Sequence, residues 1–433
     1  MAYMRYKSLT LSNFSRAFTT KSCCYRPENE EELALLVENL SKDSPFLARG
    51  QGLSYSDCNV NHQKIVIDTT RFNHLLAFDA QTGIVVCQPA VSFAELFLVH
   101  PDFIPPVLPG TGFATLGGGI ANDIHGKNNI AQGTLGQHIV WLELRIGGFT
   151  IKCSPTMHQA LFFATIGGLG LTGVICRVAL QMLRRPRHVL VQKKYFRHWA
   201  ELLAQFTQCA PQVDYQVAWL DLLNPLQAIL STAHYCAAPK TSSERALRTL
   251  PKSPWRMLYR WNMSRFNHWY ARQSLESAIL PLSVFNHPLD NFKHWPYLYG
   301  QKGLLQFQAV FDAEHAEIIL EHLTCLIIHH QALPTLAVLK YFTRSGIGLL
   351  SFVQPGFSIA IDFVHNTAAQ AAILAMNQFI TEQQGRIYLA KDSLLTTEQF
   401  QIQYSKHTLF KQILAEFKPN ITSNLSQRLG ITE

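Results

Sequence analysis

Residues 109–136 read PGTGFATLGGGIANDIHGKNNIAQGTLG, and eight of these positions are glycine. Glycine lets another group approach the backbone closely, and it weakens the interior of helices and strands. A segment with so much glycine that also carries His125 and Lys127 is therefore poorly suited to the protein core. We interpret it as a backbone surface that receives a flat or anionic ligand, with side-chain chemistry at one end.

Two further glycine loops flank this segment, one at residues 49–57 (RGQGLSYSD) and one at residues 167–173 (GGLGLTG). All three follow short apolar runs, which indicates that each loop leaves a buried element. Successive backbone N–H groups form anion-binding nests, so the set favours a diphosphate ligand. None of the loops matches G-x-G-x-x-G followed by an acidic residue, so a standard nicotinamide-binding fold has no support.

The composition is that of a packed globular protein with room for two domains. Among 433 residues, 48% are hydrophobic and 15% are charged. The net charge of +8 favours anionic ligands or surfaces, but its sign does not choose among phosphate, nucleic acid and anionic lipid. The nine cysteines form no C-x-x-C pair, so we expect buried reduced thiols of a cytosolic protein and no metal site.

The N-terminal segment has no apolar signal region, and no run of about 18 apolar residues occurs. We therefore expect a cytoplasmic chain without a transmembrane helix. Residues 240–272 interleave eight basic residues with six aromatic ones. This pattern suits an anionic membrane surface or a phosphorylated lipid, and equally a solvated loop or lid. We expect no nucleic-acid partner, and peripheral contact with the inner face of the membrane stays open.

The order of predicted elements indicates an α+β protein with a boundary at residues 184–187, a polar break that contains proline. Residues 1–186 form the first domain. Residues 187–385 form a second domain, in which several strands and a few long helices predict an antiparallel sheet with helices on one face. Residues 386–433 form a tail, with a strand at 386–393 that ends in a charged turn and helices after it.

Four segments carry a resemblance to a known family. They are residues 109–128, residues 161–177 (LFFATIGGLGLTGVICR), the HPLDNF motif at 287–292, and residues 385–393 (GRIYLAKDS). In this order they resemble the decaprenylphosphoryl-β-D-ribose 2′-oxidase family of the vanillyl-alcohol-oxidase type flavoproteins. The resemblance runs from about residue 49 to residue 428. It implies that the N-terminal part and the tail together form an FAD-binding domain, into which the substrate domain is inserted.

The resemblance also implies which residues contact FAD. In many relatives the first glycine loop carries a histidine that bonds covalently to the flavin, whereas this chain has Leu53, Ser54 and Tyr55 there, so we expect non-covalent FAD. The expected cofactor-binding residues are Arg49, Gly50, Gln51, Gly52, Leu53, Ser54, Tyr55, Pro109, Gly110, Thr111, Thr115, Gly117, Gly118, Asn122, Ile124, His125, Gly170, Gly173, Val174, Tyr388 and Lys391.

Three of the residues that the resemblance marks are expected to be catalytic: His125, Lys391 and Lys340. His125 would orient or deprotonate the substrate hydroxyl, because a neutral imidazole is a suitable base near neutral pH. Lys391 would stabilise the negative charge of the reduced flavin. Structural roles remain the alternatives, namely a core histidine and surface lysines. The expected substrate-binding residues are Lys127, Trp219, Gln306, Gln308, Lys340, Ser358 and Ala360.

Three positions depart from the pattern of the best-known family members. Ala360 stands where they have a reactive cysteine, Ser358 replaces an asparagine, and Asn286 stands where a tyrosine precedes the PLD motif. We therefore expect that no cysteine is essential for the reaction, and that covalent inhibitors which need that thiol fail on this protein.

The resemblance implies an FAD-dependent oxidoreductase that converts the 2′-hydroxyl of a polyprenyl-phosphoryl-β-D-ribose to a ketone. A separate keto-reductase would then complete an epimerisation to the arabinose form. One alternative is an aldonolactone or alditol oxidase on the same fold. Another is a non-enzymatic relative that binds lipid phosphate.

Overall fold

The structure, a computed structural model, describes residues 5–237, 248–250, 252–272 and 275–433. Its first part alternates strands with short helices. The strands are β1 (Tyr6–Ser12), β2 (Thr19–Tyr25), β3 (Phe46–Arg49), β4 (Ile65–Asp68), β5 (Leu75–Asp79), β6 (Ile84–Cys87), β7 (Phe103–Ile104), β8 (Ile139–Ile146), β9 (Phe149–Cys153), β10 (Val174–Gln181) and β11 (Leu183–Arg184). The helices are α1 (Glu30–Asp43), α2 (Phe93–Leu96), α3 (Leu116–Ala121), α4 (Asn129–Gln132) and α5 (Gln159–Thr165), with 3₁₀ turns at Asp57–Asn59 and Leu135–His138.

The second part contains longer strands and helices. The strands are β12 (His188–Phe196), β13 (Tyr215–Asp221), β14 (Gln227–Cys236), β15 (Arg248–Thr249), β16 (Ala278–Pro281), β17 (Phe292–Lys293), β18 (Leu304–Phe311), β19 (Pro334–Phe342), β20 (Gly356–Val364) and β21 (Arg386–Ile387). The helices are α6 (Trp199–Cys209), α7 (Arg260–Ala271), α8 (Leu282–Asn286), α9 (Ala316–His329), α10 (Thr367–Glu382), α11 (Thr397–Gln403), α12 (His407–Phe417) and α13 (Asn424–Arg428), with 3₁₀ turns at Pro288–Asn291 and Trp295–Tyr299.

Two sheets in the first part present the glycine loops. One has the order β1-β2-β4-β3, with β2, β4 and β3 parallel to one another, and the other has the order β5-β6-β10-β8-β9. Strand β3 ends at Arg49, so the first glycine loop leaves directly from its carboxyl end. Strand β10 begins at Val174, directly after the third loop. The central loop contains α3, where the Thr115 hydroxyl caps the helix by accepting from the Gly118 N–H.

The second part is built on an eight-stranded antiparallel sheet in the order β16-β12-β14-β13-β19-β20-β18-β21. Because side chains alternate across a strand, Phe307 and Ala309 point to one face of β18, while Gln306 and Gln308 point to the other. The first face is buried against α6, α9 and α10 in a large apolar core. The predicted α+β class, with an antiparallel sheet and helices on one face, is confirmed.

The tail starts at the edge of the eight-stranded sheet and then returns to the first part of the chain. Strand β21 adds to the edge of β18, and a bridge joins Phe46 to Ile421. The strand predicted at residues 386–393 is wrong beyond Ile387. The N–H groups of Lys391 and Asp392 both donate to the Tyr388 carbonyl at 2.9 Å, which closes a turn. The Asp392 carboxylate then accepts from the N–H groups of Leu394 and Leu395, so the chain cannot continue as a strand.

Two other expectations meet the structure only in part. All nine cysteines are free, but they are not all buried, because Cys325 is exposed on α9 and four others are half-buried.

The basic and aromatic segment at residues 240–272 falls partly outside the described residues, which begin again at residue 248 and omit residue 251. None of the helices in the described ranges is long and apolar enough to cross a bilayer.

Candidate active site

A cavity of about 350 Å³ lies between the glycine loops and the polar face of the eight-stranded sheet. The wall on one side is mostly backbone, from residues 50–55, 109–125 and 169–175. The opposite wall consists of side chains from β18, β19 and β20. A turn at residues 388–391 closes one end. We call the three glycine loops and this turn the cradle.

Most of the predicted site residues line this cavity. On the cofactor side they are Gly50, Gln51, Gly52, Leu53, Ser54, Tyr55, Pro109, Gly110, Thr111, Thr115, Gly117, Gly118, Asn122, Ile124, His125, Gly170, Gly173, Val174, Tyr388 and Lys391, and on the sheet side Gln306, Gln308, Lys340 and Ala360. Four predicted residues are not part of the lining: Arg49, Lys127, Trp219 and Ser358.

Arg49 braces the first glycine loop from behind. Its guanidinium donates to the carbonyls of Asn59 at 3.0 Å and Ser12 at 2.7 Å. A Cβ atom added at Gly52 would collide with this guanidinium, and Gly52 has a φ of +68° that disfavours a side chain. Arg49 therefore holds the loop in shape and does not reach the cavity, which corrects its expected place at the cofactor.

Lys127 is anchored to α8 and does not reach into the cavity. Its ammonium donates to the Phe285 carbonyl and lies 4.4 Å from the centre of the Phe285 ring. Burial, together with the charge of Lys340, lowers the pKa of Lys127 to about 7. Lys127 is therefore not a freely solvated surface lysine, and that alternative is wrong. It also does not line the cavity as a substrate-binding residue would, because it lies behind the cavity wall.

Trp219 and Ser358 lie one step behind the lining. The Trp219 ring packs against Tyr270 of α7 with the ring centres 4.8 Å apart. Its register partner on β19 is Val338, which does line the cavity. The buried Ser358 hydroxyl accepts from the amide nitrogen of Gln308 at 3.5 Å, so it supports a residue of the wall.

His125 joins the two walls of the cavity. Its Nε2 lies 3.0 Å from the Gln308 amide nitrogen, and its ring packs among Phe342, Phe352 and Tyr388 with ring centres 5.0, 5.4 and 5.2 Å away. Burial, and then the charges of Lys340 and Lys391, hold the pKa of His125 well below its usual value. The ring is therefore a neutral imidazole at neutral pH, as a proton acceptor must be.

Lys391 lies where the turn meets the first glycine loop. Its ammonium nitrogen is 3.4 Å from the centre of the Tyr55 ring. The N–H groups of Tyr55 and Ser56 donate to the Ala390 carbonyl at 3.0 and 3.2 Å, so loop and turn form one unit. Burial lowers the pKa of Lys391, and the carboxylate of Asp362 opposes that decrease.

Sequence reasoning missed Asp362, which lines the cavity between Gln306 and Lys391. One of its oxygens accepts a hydrogen bond from Gln306, whereas Oδ2 has no partner among the described residues. Burial raises the pKa of Asp362. The signal was available in the two-residue period of β20, which places Asp362 on the same face as Ser358 and Ala360.

The lining fits a flavin dinucleotide. A Cβ atom built at Gly110 meets no protein atom within 4 Å, so the protein's own packing does not require bare backbone at that position. Bare backbone there widens the cavity and lets a ligand approach closely. Two buried polar atoms beside the cavity, Asn122 Oδ1 and His125 Nδ1, have no partner in the described part of the chain and are free to meet a ligand.

Comparison with known proteins points to the same cofactor. The model of the FAD binding domain family matches residues 22–147. The chain is 28% identical to decaprenylphosphoryl-beta-D-ribose oxidase of Mycolicibacterium smegmatis, over 89% of each protein. It is 26% identical to D-lactate dehydrogenase of Archaeoglobus fulgidus over 38% of this chain and 40% of that protein. It is 30% identical to a putative D-arabinono-1,4-lactone oxidase of Neurospora crassa over 40% of this chain and 33% of that protein.

The fold, the cavity and these similarities agree on the cofactor and on the kind of reaction. The cradle supplies glycine-lined backbone with Lys391 at one end, and the family match covers its first two loops. The chain binds FAD, and it is an oxidoreductase that acts on CH–OH groups. It has the α+β fold of the vanillyl-alcohol-oxidase type flavoproteins, with an FAD binding domain at residues 22–147, and over 89% of its length it is similar to a decaprenylphosphoryl-ribose oxidase.

Proposed function

We propose that this chain oxidises the 2′-hydroxyl of a polyprenyl-phosphoryl-β-D-ribose to a ketone. The observation that carries the proposal is the polar wall opposite the cradle, where Gln308 and Lys340 lie beside His125 in one cavity. A sugar phosphate needs both hydrogen-bonding amides and a cation. The similarity to a decaprenylphosphoryl-ribose oxidase over 89% of the chain, substrate domain included, supports this choice.

The chain's own residues supply binding and proton transfer. The cradle would hold FAD, which would supply a hydride acceptor for the carbon that carries the hydroxyl group. The proton of that hydroxyl goes to the neutral ring of His125, whose Nε2 becomes available when the substrate displaces the Gln308 amide. The cationic form of Lys391 offsets the negative charge that accumulates on the cofactor side, in a buried site where water does not screen it.

Lys340 is the candidate partner of the substrate phosphate. Burial lowers its pKa to about 8, so at neutral pH it is still mostly a cation. The phosphate links the lipid to the sugar as a diester, and its single negative charge would favour that form further. The neighbouring strand β20 carries short side chains at Ser358 and Ala360. Ala360 is the register partner of both Gln308 and Val338, so its small side chain leaves room for a substrate above the centre of the sheet.

The product is a keto sugar still attached to its lipid. Completing an epimerisation at that carbon requires a hydride donor on the opposite face, and we propose that a separate keto-reductase supplies it. We also propose that FAD is held without a covalent bond, since residues 50–55 contain no histidine.

A visible spectrum of the purified protein, recorded before and after anaerobic addition of polyprenyl-phosphoryl ribose, tests the proposal. We expect a flavin spectrum that acid releases and that the lipid sugar bleaches. His125→Gln should keep the flavin and lose most of the bleaching rate. His138→Gln is the control, because His138 is half-buried, bonds the Gln132 carbonyl at 2.8 Å and does not line the cavity.

Bleaching by free alditols or aldonolactones alone would replace the proposal with the oxidase alternative, which the partial similarity to a lactone oxidase supports. A flavin that no sugar bleaches would favour a non-enzymatic role in lipid-phosphate binding. Equal rates in both histidine variants would contradict the assigned role of His125.

A further inference from the structure

Helix α7 has an unusual distribution of side chains. Its inward face holds Met263 and Asn267, which are buried, and Asn267 donates to the Asp221 carboxylate at 2.8 Å. Its outward face carries aromatic residues, with Trp261 68% exposed and Trp269 57% exposed. The helix is therefore fixed to the protein through its inward face while it presents large apolar rings to solvent.

The segment before α7 extends the same surface. Trp255 is 78% exposed, and Met257 and Tyr259 are also exposed. The Arg256 guanidinium lies 4.5 Å from the centre of the Tyr259 ring. Residues 252–272 contain five lysines or arginines and no aspartate or glutamate. We call residues 252–272 the basic–aromatic surface, since cations and exposed rings alternate along it.

Such a surface matches the interface of an anionic bilayer. Exposed indole rings are costly in water and are favoured at the level of lipid headgroups, where the ring is half in hydrocarbon and its N–H still finds a partner. Basic side chains beside them are attracted by the negative potential of anionic lipids. We propose that the basic–aromatic surface docks this chain on a membrane that contains anionic lipid.

The position of this surface connects it to the cavity. The Met257 N–H donates to the Leu298 carbonyl at 2.8 Å, and Leu258 packs in one apolar cluster with Trp295, which lines the cavity. On the other side, Tyr270 of α7 packs on Trp219. A docked chain would thus hold the cavity wall next to the bilayer. The link between docking and the cavity rests on the proposed function, because docking would give the polyprenyl tail of the substrate a short path from the membrane to the site.

Sedimentation with lipid vesicles tests the docking without any sugar. We expect the flavin-loaded protein to bind phosphatidylcholine vesicles that contain phosphatidylglycerol, and to bind pure phosphatidylcholine vesicles much more weakly. Arg260→Gln with Arg265→Gln should weaken binding about 30-fold. Trp261→Ser with Trp269→Ser should weaken it at least as much. The matched control is Phe149→Ser with Lys42→Gln, an exposed ring and an exposed cation elsewhere on the chain.

The flavin spectrum and the thermal midpoint of each variant must match the parent, which establishes that the fold is intact. Equal vesicle binding by the surface variants and the control would overturn the proposal. Binding of single-stranded RNA in place of vesicles would overturn it as well.

Failure of docking and failure of the proposed function give different results. If the function is right, the surface variants oxidise a detergent-dispersed short-chain substrate at the parent's rate. They lose activity only when the substrate is embedded in vesicles. If the function is wrong, no variant oxidises the sugar, yet the vesicle binding still separates the surface variants from the control.

Discussion

Replacing Arg428 by methionine should break the ion cluster that ties the tail to the cradle. The guanidinium bonds both oxygens of Asp57, at 2.8 and 3.1 Å, and also bonds Asp392 at 2.9 Å. Asp57 is the last residue of the first glycine loop, and Asp392 follows Lys391 in the turn. The two carboxylates are only 5% and 1% exposed, so without the arginine both would be buried charges without a counter-ion.

The cost follows from that burial. Removing one partner of a buried ion pair typically destabilises a protein by about 3–5 kcal/mol. For a chain of 433 residues that unfolds as one unit, the entropy of unfolding is about 0.9 kcal/mol per degree. The thermal midpoint of Arg428→Met should therefore fall by about 3–6 °C. FAD affinity should fall as well, because the turn that carries Lys391 loses its support.

Circular dichroism of the flavin-free protein measures the midpoint, with Arg71→Met as the control. Arg71 pairs with Glu28 at the same 2.9 Å, but both side chains are exposed, so its loss should cost less than about 1 kcal/mol. Burial already raises the pKa of Asp57 above its usual value, and the bonds from Arg428 that oppose this increase are lost in the variant. The folded state then binds protons more readily, so the deficit shrinks as the pH falls.

Equal losses in the two arginine variants would refute the reasoning. A deficit in Arg428→Met that stays constant from about pH 7 to about pH 5 would refute it too, since the cost then could not come from uncompensated carboxylates.

Four further substitutions test the site. Lys391→Met should retain FAD but slow bleaching by substrate about 100-fold in stopped-flow, and an unchanged rate would remove Lys391 from the chemistry. Asp362→Asn should lower the pKa of Lys391, because the carboxylate of Asp362 raises it. In a plot of kcat against pH, the decrease at high pH should therefore begin at a lower pH than in the parent. An unchanged profile would contradict the coupling between the two side chains. Ala360→Cys should gain a covalent adduct with thiol-dependent inhibitors that the parent lacks, as intact-protein mass can show; an adduct on the parent would disprove the expectation. Gly110→Ala should leave the thermal midpoint of the flavin-free protein unchanged while weakening FAD, because its Cβ meets no protein atom within 4 Å; a lower midpoint would mean a structural role.

Local patterns predicted much of the fold. Residues 139–146 (IVWLELRI) are rich in apolar residues, alternate at their end and are followed by a Gly-Gly turn, which predicts a strand, and β8 has the same bounds. The sequence also predicts that Ser92 caps a helix from Phe93 to about His100; Ser92 does cap α2 through a capping box, but the helix ends at Leu96. Strand β14 was not predicted, because QAILSTAHYC mixes apolar and polar residues without a clear period, and its identity depends on pairing with β12 and β13.

The residue types predicted the location of the site better than they predicted the contacts of each side chain. Arg49 and Lys127 look like ligands for anions, yet both donate to backbone carbonyls, a choice that only tertiary structure determines. Asp362 was overlooked for the opposite reason. It is a single carboxylate in an apolar strand, and the sequence does not show that the distant Lys391 lies near it in the folded protein. The roles assigned to the residues that line the cavity stay predictions.

The ion cluster around Arg428 also limits how the protein can assemble. Arg428 and Asp57 are 371 positions apart, so no short fragment contains both halves of the cradle. Contacts of such separation form late, because closing a long chain segment costs entropy before the contact repays it. The region that the family model matches, residues 22–147, contains two of the three glycine loops but neither Lys391 nor the tail. We therefore expect flavin binding to require the assembled chain, and a chain cut within the eight-stranded sheet to bind flavin only when its two pieces reassociate.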